Sequence, residues 1–133
     1  MTESDVTSLD ADYQRGLALA RSGEYFEAHE AFELAWRASD PSERDFFQGL
    51  VHVVVSAYQR GRGRPVAAER QRVKALNRLA TFEPAYRGLD ISLLRAALER
   101  AEADPREHLV ERHLQPPVAP EEEQQSESDE NQS

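Results

Sequence analysis

A histidine and a glutamate four residues apart on one helix can close on a single ion or share a proton, and this chain carries such a pair at His29 and Glu33. On a helical wheel His29 falls between Tyr25 and Trp36, in the middle of an apolar arc, with Glu33 one turn later at its edge. Both are costly to bury alone. Further on, Gln48, His52 and Gln59 share one narrow stripe of an otherwise apolar segment, at i, i+4 and i+11. If the two stripes face each other, the interior between two helices holds a polar cluster. One reading of that cluster is a divalent-metal site in which His29, Glu33 and His52 are the ligands and Gln48 completes the sphere, the basis for a metal-dependent, hydrolase-like enzyme. The other is a hydrogen-bonded network in which His29 and Glu33 orient each other while Arg37 or Arg44 neutralises the carboxylates. A small ligand or a protein partner could use the same surface, and the candidate polar site as a whole comprises His29, Glu30, Glu33, Trp36, Arg44, Gln48 and His52.

Other chemistries find less support. The His-Glu-x-x-Glu run lacks the second histidine of a zinc-protease helix, and the paired Glu-x-x-His of di-iron bundles is absent. There is no Gly-x-Ser-x-Gly elbow and no phosphate-binding loop. Gly61-Arg-Gly63 is too short for a dinucleotide fingerprint and follows a helical pattern, not a strand. With no cysteine in the sequence, thiolate nucleophiles, thiolate zinc sites and iron–sulfur clusters are excluded.

A second signal is electrostatic. Arg70, Lys74 and Arg78 recur every four residues and form one basic stripe, a candidate anion-binding surface for a phosphate, an acidic partner or the chain's own acidic end. The bland alternative is a solvated face paired with neighbouring acids. No aromatic residue interleaves the stripe, which argues against single-stranded nucleic acid as a partner.

The elements that must position these residues are helical. At 133 residues the length implies one domain that buries roughly two thirds of its unfolded surface. A first helix is expected from about Asp10 to Ser22, with Tyr13, Leu17 and Ala20 on one face and Gly23 at its end. A second runs from Glu24 to about Ser39 with Tyr25, Phe32 and Trp36 inward. Asp40-Pro41-Ser42-Glu43 reads as a helix start: a capping carboxylate, a proline in the first turn, and a glutamate that returns the cap's bond. The third helix, to about Arg60, is apolar around more than half its circumference and should be central in the bundle. Pro65 opens a fourth, to about Phe82, with Val66, Val73, Leu76 and Ala80 in register. Asp90 caps a fifth with Ile91, Leu94, Leu98 and Ala101 inward, Asp104-Pro105 stops it, and a short sixth lies near Glu107–Leu114.

The expected architecture is an all-α antiparallel bundle of about five helices built on helix hairpins. Its domain spans 10–114, between a flexible N-terminus over 1–9 and a disordered acidic tail over 115–133. The net charge of −9 is concentrated in that tail, where Glu121, Glu122, Glu123, Glu127, Asp129 and Glu130 stand without a base; the body before it carries only −3. The first residues, Met1 to Ser8, are acidic and polar, unlike a signal peptide. The longest apolar stretch, Leu50–Tyr58, is about half of what spans a bilayer. A cytoplasmic location without membrane contact is therefore expected.

Motifs add a family. Phe26-Glu27-Ala28-His29-Glu30-Ala31-Phe32-Glu33-Leu34-Ala35-Trp36, followed by Arg44-Asp45-Phe46-Phe47-Gln48-Gly49-Leu50-Val51, resembles the domain of unknown function 309 family, whose pattern is an EAHE..E..W helix and then R.F.QGLI. Lys74-Ala75 with Leu79, and Tyr86-Arg87-Gly88-Leu89-Asp90, resemble its later segments, so the likeness spans about 12 to 95. The sequence departs from the family pattern at Gly61–Ala67. The resemblance implies an all-helical bundle and no assigned activity. Gly23 to Ala35 is also similar to the second helix of a tetratricopeptide repeat, but the 34-residue period does not recur. The expected function is a non-enzymatic binding or protein-interaction module needing no cofactor, with a protein partner, a small ligand or a second copy of the chain as its counterpart. The alternative is the metal-dependent enzyme.

Overall fold

Five α-helices appear among the residues described by the computed structural model, 3–100 and 104–111, with side chains from Ser8 onward. They are α1 (Glu3–Arg21), α2 (Tyr25–Ala38), α3 (Arg44–Gly61), α4 (Pro65–Leu79) and α5 (Ile91–Glu99). α1 packs on α2, α2 on α3 and α3 on α4, so each neighbour in sequence is a neighbour in space and successive helices form hairpins. The acidic tail expected over 115–133 lies outside the described residues. No helix among those described is long and apolar enough to cross a membrane.

α3 lies between α2 and α4, as its broad apolar surface requires: Phe46, Phe47, Leu50, Val53 and Val54 are fully buried. The β-branched run Val53–Val55 is helical, because sidewise burial against two helices outweighs a modest propensity difference. α1 contributes Tyr13, Leu17 and Ala20 to the core, in the register expected, although it begins at Glu3 rather than Asp10. On α2 Phe32 is buried together with Ala28, Ala31 and Ala35, while Tyr25 and Trp36 are half-buried at the edge of the core.

Two details depart from the expected pattern. Asp40 caps as foreseen, its carboxylate accepting from the Ser42 N–H, but the turn Pro41–Glu43 is a 3-10 turn and Glu43 makes no capping bond. On α4 the inward residues are Ala68, Ala75 and Leu79; Val66 and Val73 are exposed, at 65% and 42%, and so is Ala80. The small face lets α4 approach α3 closely. A Cβ added at Gly49 would stand 2.7 Å from Leu79 Cδ2, and Ser56 Oγ donates to the Ala68 carbonyl at 2.9 Å.

Between α4 and α5 a 3-10 turn (Ala80–Phe82) leads to a two-stranded antiparallel hairpin, β1 (Ala85–Tyr86) and β2 (Leu89–Asp90), with Tyr86 opposite Leu89. Its turn residues Arg87 and Gly88 both have positive φ, 46° and 80°, which the twist of a two-residue hairpin demands. Asp90 then caps α5 by accepting from the Leu93 N–H at 2.9 Å. Ile91, Leu94 and Leu98 are buried as expected, and Ala101 lies outside the described residues. The short sixth helix is a 3-10 turn at Pro105–His108, which brings Leu109 into the core.

Candidate functional site

α2 and α3 lie side by side, and at one end of their seam a cavity of about 220 Å³ opens between Tyr25, Phe26 and His29 of α2 and Val55, Tyr58 and Gln59 of α3. Phe26 stands 48% exposed at its edge. The Phe26 ring centroid lies 5.7 Å from both the Tyr58 and the His29 rings, at tilted angles, so the lining is an aromatic cluster with one open side. Tyr25 donates through its hydroxyl to Asp104 at 3.2 Å, and burial together with that carboxylate pushes its pKa up to about 12. Arg62, beyond the end of α3, covers the Tyr58 ring at 5.6 Å and donates to its hydroxyl at 3.1 Å.

His29 turns Nε2 toward Glu33, 3.4 Å away, and Arg37 approaches the other carboxylate oxygen at 3.9 Å. The mutual orientation of His29 and Glu33 is thus present, with Arg37 rather than Arg44 as the neutralising cation. Its second nitrogen, Nδ1, is buried with no hydrogen-bond partner, and so is Gln59 Oε1. Buried polar atoms without a partner are uncommon in folded proteins.

The rest of the expected cluster does not converge there. His52 leans the other way, toward α4: its Nδ1 donates to Gln71 Oε1 at 2.7 Å. Burial, opposed by the Gln71 bond and reinforced by the charges of Lys74 and Arg78, holds its pKa below the ordinary histidine value. Gln48 is half-buried and Trp36 packs at the core's edge, while Glu30 and Arg44 are exposed. Among the described residues no group of three or more histidine, cysteine, aspartate or glutamate side chains is placed to hold a metal ion. His29, Glu33 and His52 therefore do not form the expected triad, because α3 presents His52 to one neighbouring helix and Gln59 to the other.

The basic stripe is only partly free. Arg78 pairs with Asp45 of α3 at 2.7 Å, whereas Arg70 and Lys74 are exposed. A second hollow, about 410 Å³, lies between Arg21, Asp104, Arg106, Glu107 and Val110. Asp104 there is engaged by Arg106 and Tyr25, and the Arg106 hydrogen bond, ahead of the backbone bond from Arg106, holds its carboxyl below the usual range.

One constellation escapes sequence reading altogether. Arg87, at the hairpin turn, reaches back to Glu43 ahead of α3, and Tyr86 donates to the same carboxylate at 2.8 Å. Its guanidinium lies over the Tyr13 and Phe47 rings at 5.4 and 5.2 Å, and its carbonyl accepts from the Tyr13 hydroxyl at 2.8 Å. The signals were the Tyr86-Arg87-Gly88 segment of the family likeness and a glutamate whose capping role was one of two uses open to it. Every polar group in this latch is spent on tying α1, α3 and the hairpin together, so it is architecture.

The whole is a small helical-hairpin bundle with a side-chain-sized aromatic cavity on one seam. Residues 13–71, from within α1 to the middle of α4, match the model of a family described as Domain of unknown function (DUF309), the family the motifs resemble. No curated protein and no solved structure matches the chain.

Proposed function

We propose that the protein is a non-enzymatic interaction module that captures one side chain of a protein partner in the α2–α3 cavity. The observation that carries the reading is the cavity itself: walled by Tyr25, Phe26, Tyr58 and Val55, and about 220 Å³ in volume. Sites for drug-sized molecules and cofactors run to about 300–1,000 Å³, so this one suits an anchor residue better than a whole cofactor. Interfaces concentrate their energy in such anchors, seated in aromatic or aliphatic pockets and ringed by more polar contacts. Such contacts are at hand in Glu33, beside His29, and Arg62, beside Tyr58. A catalytic reading would need several titratable groups aimed at one point, and His29 and His52 serve different seams.

Selection of a displayed random-peptide library on the wild-type protein and on Phe26→Asp tests the proposal. Phe26 is half exposed in the first turn of α2, where an aspartate is well tolerated, so the variant keeps its fold. A peptide consensus enriched on wild type and lost on Phe26→Asp is the expected result. No enrichment, or the same enrichment on both proteins, retires the reading.

A further inference from the structure

The outward face of α4 carries charges that the folded body leaves unanswered. Arg72, Arg78, Arg87 and Arg95 each meet a carboxylate, whereas Arg64, Arg70 and Lys74 are exposed and pair with none among the described residues. Arg70, Lys74 and Arg78 stand on successive turns, so like charges repel along the helix. Their field reaches the α3–α4 seam: His52 is held below its ordinary pKa first by burial and further by the charges of Lys74 and Arg78, against the Gln71 bond. Val66 and Val73, both exposed, lie on the same side of α4, which makes the surface apolar as well as basic.

We infer that the chain's own acidic run, residues 121–130, docks on this face of α4. The run holds six carboxylates and no base, the opposite sign to the three unanswered cations. The place where the chain leaves the described body favours the contact. Glu111 lies against Gly88 and accepts from Gln14. Gly88 adjoins Arg87, which grips Glu43, and two residues beyond Glu43 stands Asp45, paired with Arg78 at the foot of the stripe. A short relay of contacts therefore joins the exit to α4. Glu121 follows Glu111 by 10 residues, which reach at most about 35 Å when extended and average about 17 Å for an unconstrained chain. The climb from Arg78 to Arg70 is only about 12 Å. A tethered segment meets its site at an effective concentration on the order of millimolar, so weak surface ion pairs suffice to hold it. An acidic partner arriving from outside must first displace the tail.

The sequence has no cysteine, so Ser126→Cys gives a single attachment point for a nitroxide in the full chain. In dilute, isotope-labelled protein at low salt, the nitroxide should broaden the amide signals of Arg64 to Arg78 selectively. That loss of signal should vanish near 1 M salt, where the screening length falls from about 10 Å at 0.1 M to about 3 Å. It should vanish as well in the double variant Arg70→Gln, Lys74→Gln, whose two positions are exposed and whose fold is therefore kept, and in a chain whose six acids over 121–130 are replaced by their amides. Broadening spread evenly over the surface or centred on another helix would overturn the docking, and so would broadening of α4 that survives the double variant. A mixture of nitroxide-bearing chain without isotope and isotope-labelled chain without nitroxide should show no loss. Broadening of α4 in that mixture would give the site to the tail of a second copy and overturn the docking within one chain.

Discussion

Arg87 grips Glu43 with two nitrogens, Nη2 at 2.9 Å and Nε at 3.3 Å, across 44 residues of sequence. The fork is half-buried and flanked by two aromatic rings, and its owner sits at a positive φ that arginine rarely adopts. The pair thus holds a costly backbone conformation in place, and through Glu43 it fixes the entry to α3. Arg87→Ala should destabilise the fold by about 2 kcal/mol, since it leaves the Glu43 carboxylate without its cation and strips the contact from Tyr13 and Phe47. Arg87→Lys should recover only part of this, because an ammonium cannot fork. Urea denaturation of the three proteins checks both statements.

His52 makes stability depend on pH. Its folded-state pKa lies below the unfolded value of about 6.5, chiefly through burial, so the fold favours the neutral ring. The unfolded chain then binds the proton more readily, and stability should be fully present above the unfolded value and fall as pH drops below it toward the folded pKa. Wild type should lose more stability between about pH 7.5 and 5.5 than His52→Gln, whose amide can keep the bond to Gln71 without titrating. Urea midpoints at the two pH values give the comparison, and equal losses would remove His52 as the sensor.

Gly49 marks the closest approach of α3 and α4. Alanine there would gain helix propensity of roughly 1 kcal/mol but drive its methyl to within 2.7 Å of Leu79 Cγ and Cδ2. The clash should win, with a net loss of about 1–2 kcal/mol in thermal or chemical melts. The double variant Gly49→Ala, Leu79→Ala should be non-additive, because the second change removes the obstacle created by the first.

Metal content offers a direct check on the His29, Glu33 and His52 grouping. Because His52 is turned to Gln71 and only His29 and Glu33 remain together, untagged protein incubated with zinc or manganese and then desalted should retain no stoichiometric ion by elemental mass spectrometry. Stoichiometric metal lost from both His29→Ala and His52→Ala would mean that the two seams rearrange to share it.

Asp45 and Arg78 form a surface pair, each roughly half exposed. A double-mutant cycle to alanine should give a coupling below about 1 kcal/mol that shrinks further in salt. The pair therefore tests whether the basic stripe is a solvated face. A larger, salt-resistant coupling would show that it is not.

Local chemistry carried much of this fold. The caps at Asp40 and Asp90, the proline opening α4 and the apolar periods of α1, α2, α3 and α5 are short-range effects, and the sequence determined them by itself. It also determined that His29 and Glu33 would meet, since residues four apart on a helix are neighbours on its surface. What tertiary structure decided was every choice between faces. Val66 and Val73 have the helical spacing of a core, yet the narrow alanine face of α4 packs closer to α3 and wins more contact, so the valines are left outside. Glu43 had a capping partner within reach and took the forked cation of a distant hairpin instead, because a half-buried guanidinium needs a carboxylate more than an exposed N–H does. His52 and Gln59 share a stripe in sequence, but a helix held between two others shows that stripe to both, and which residue meets which neighbour depends on helix rotation and crossing, quantities no local pattern encodes.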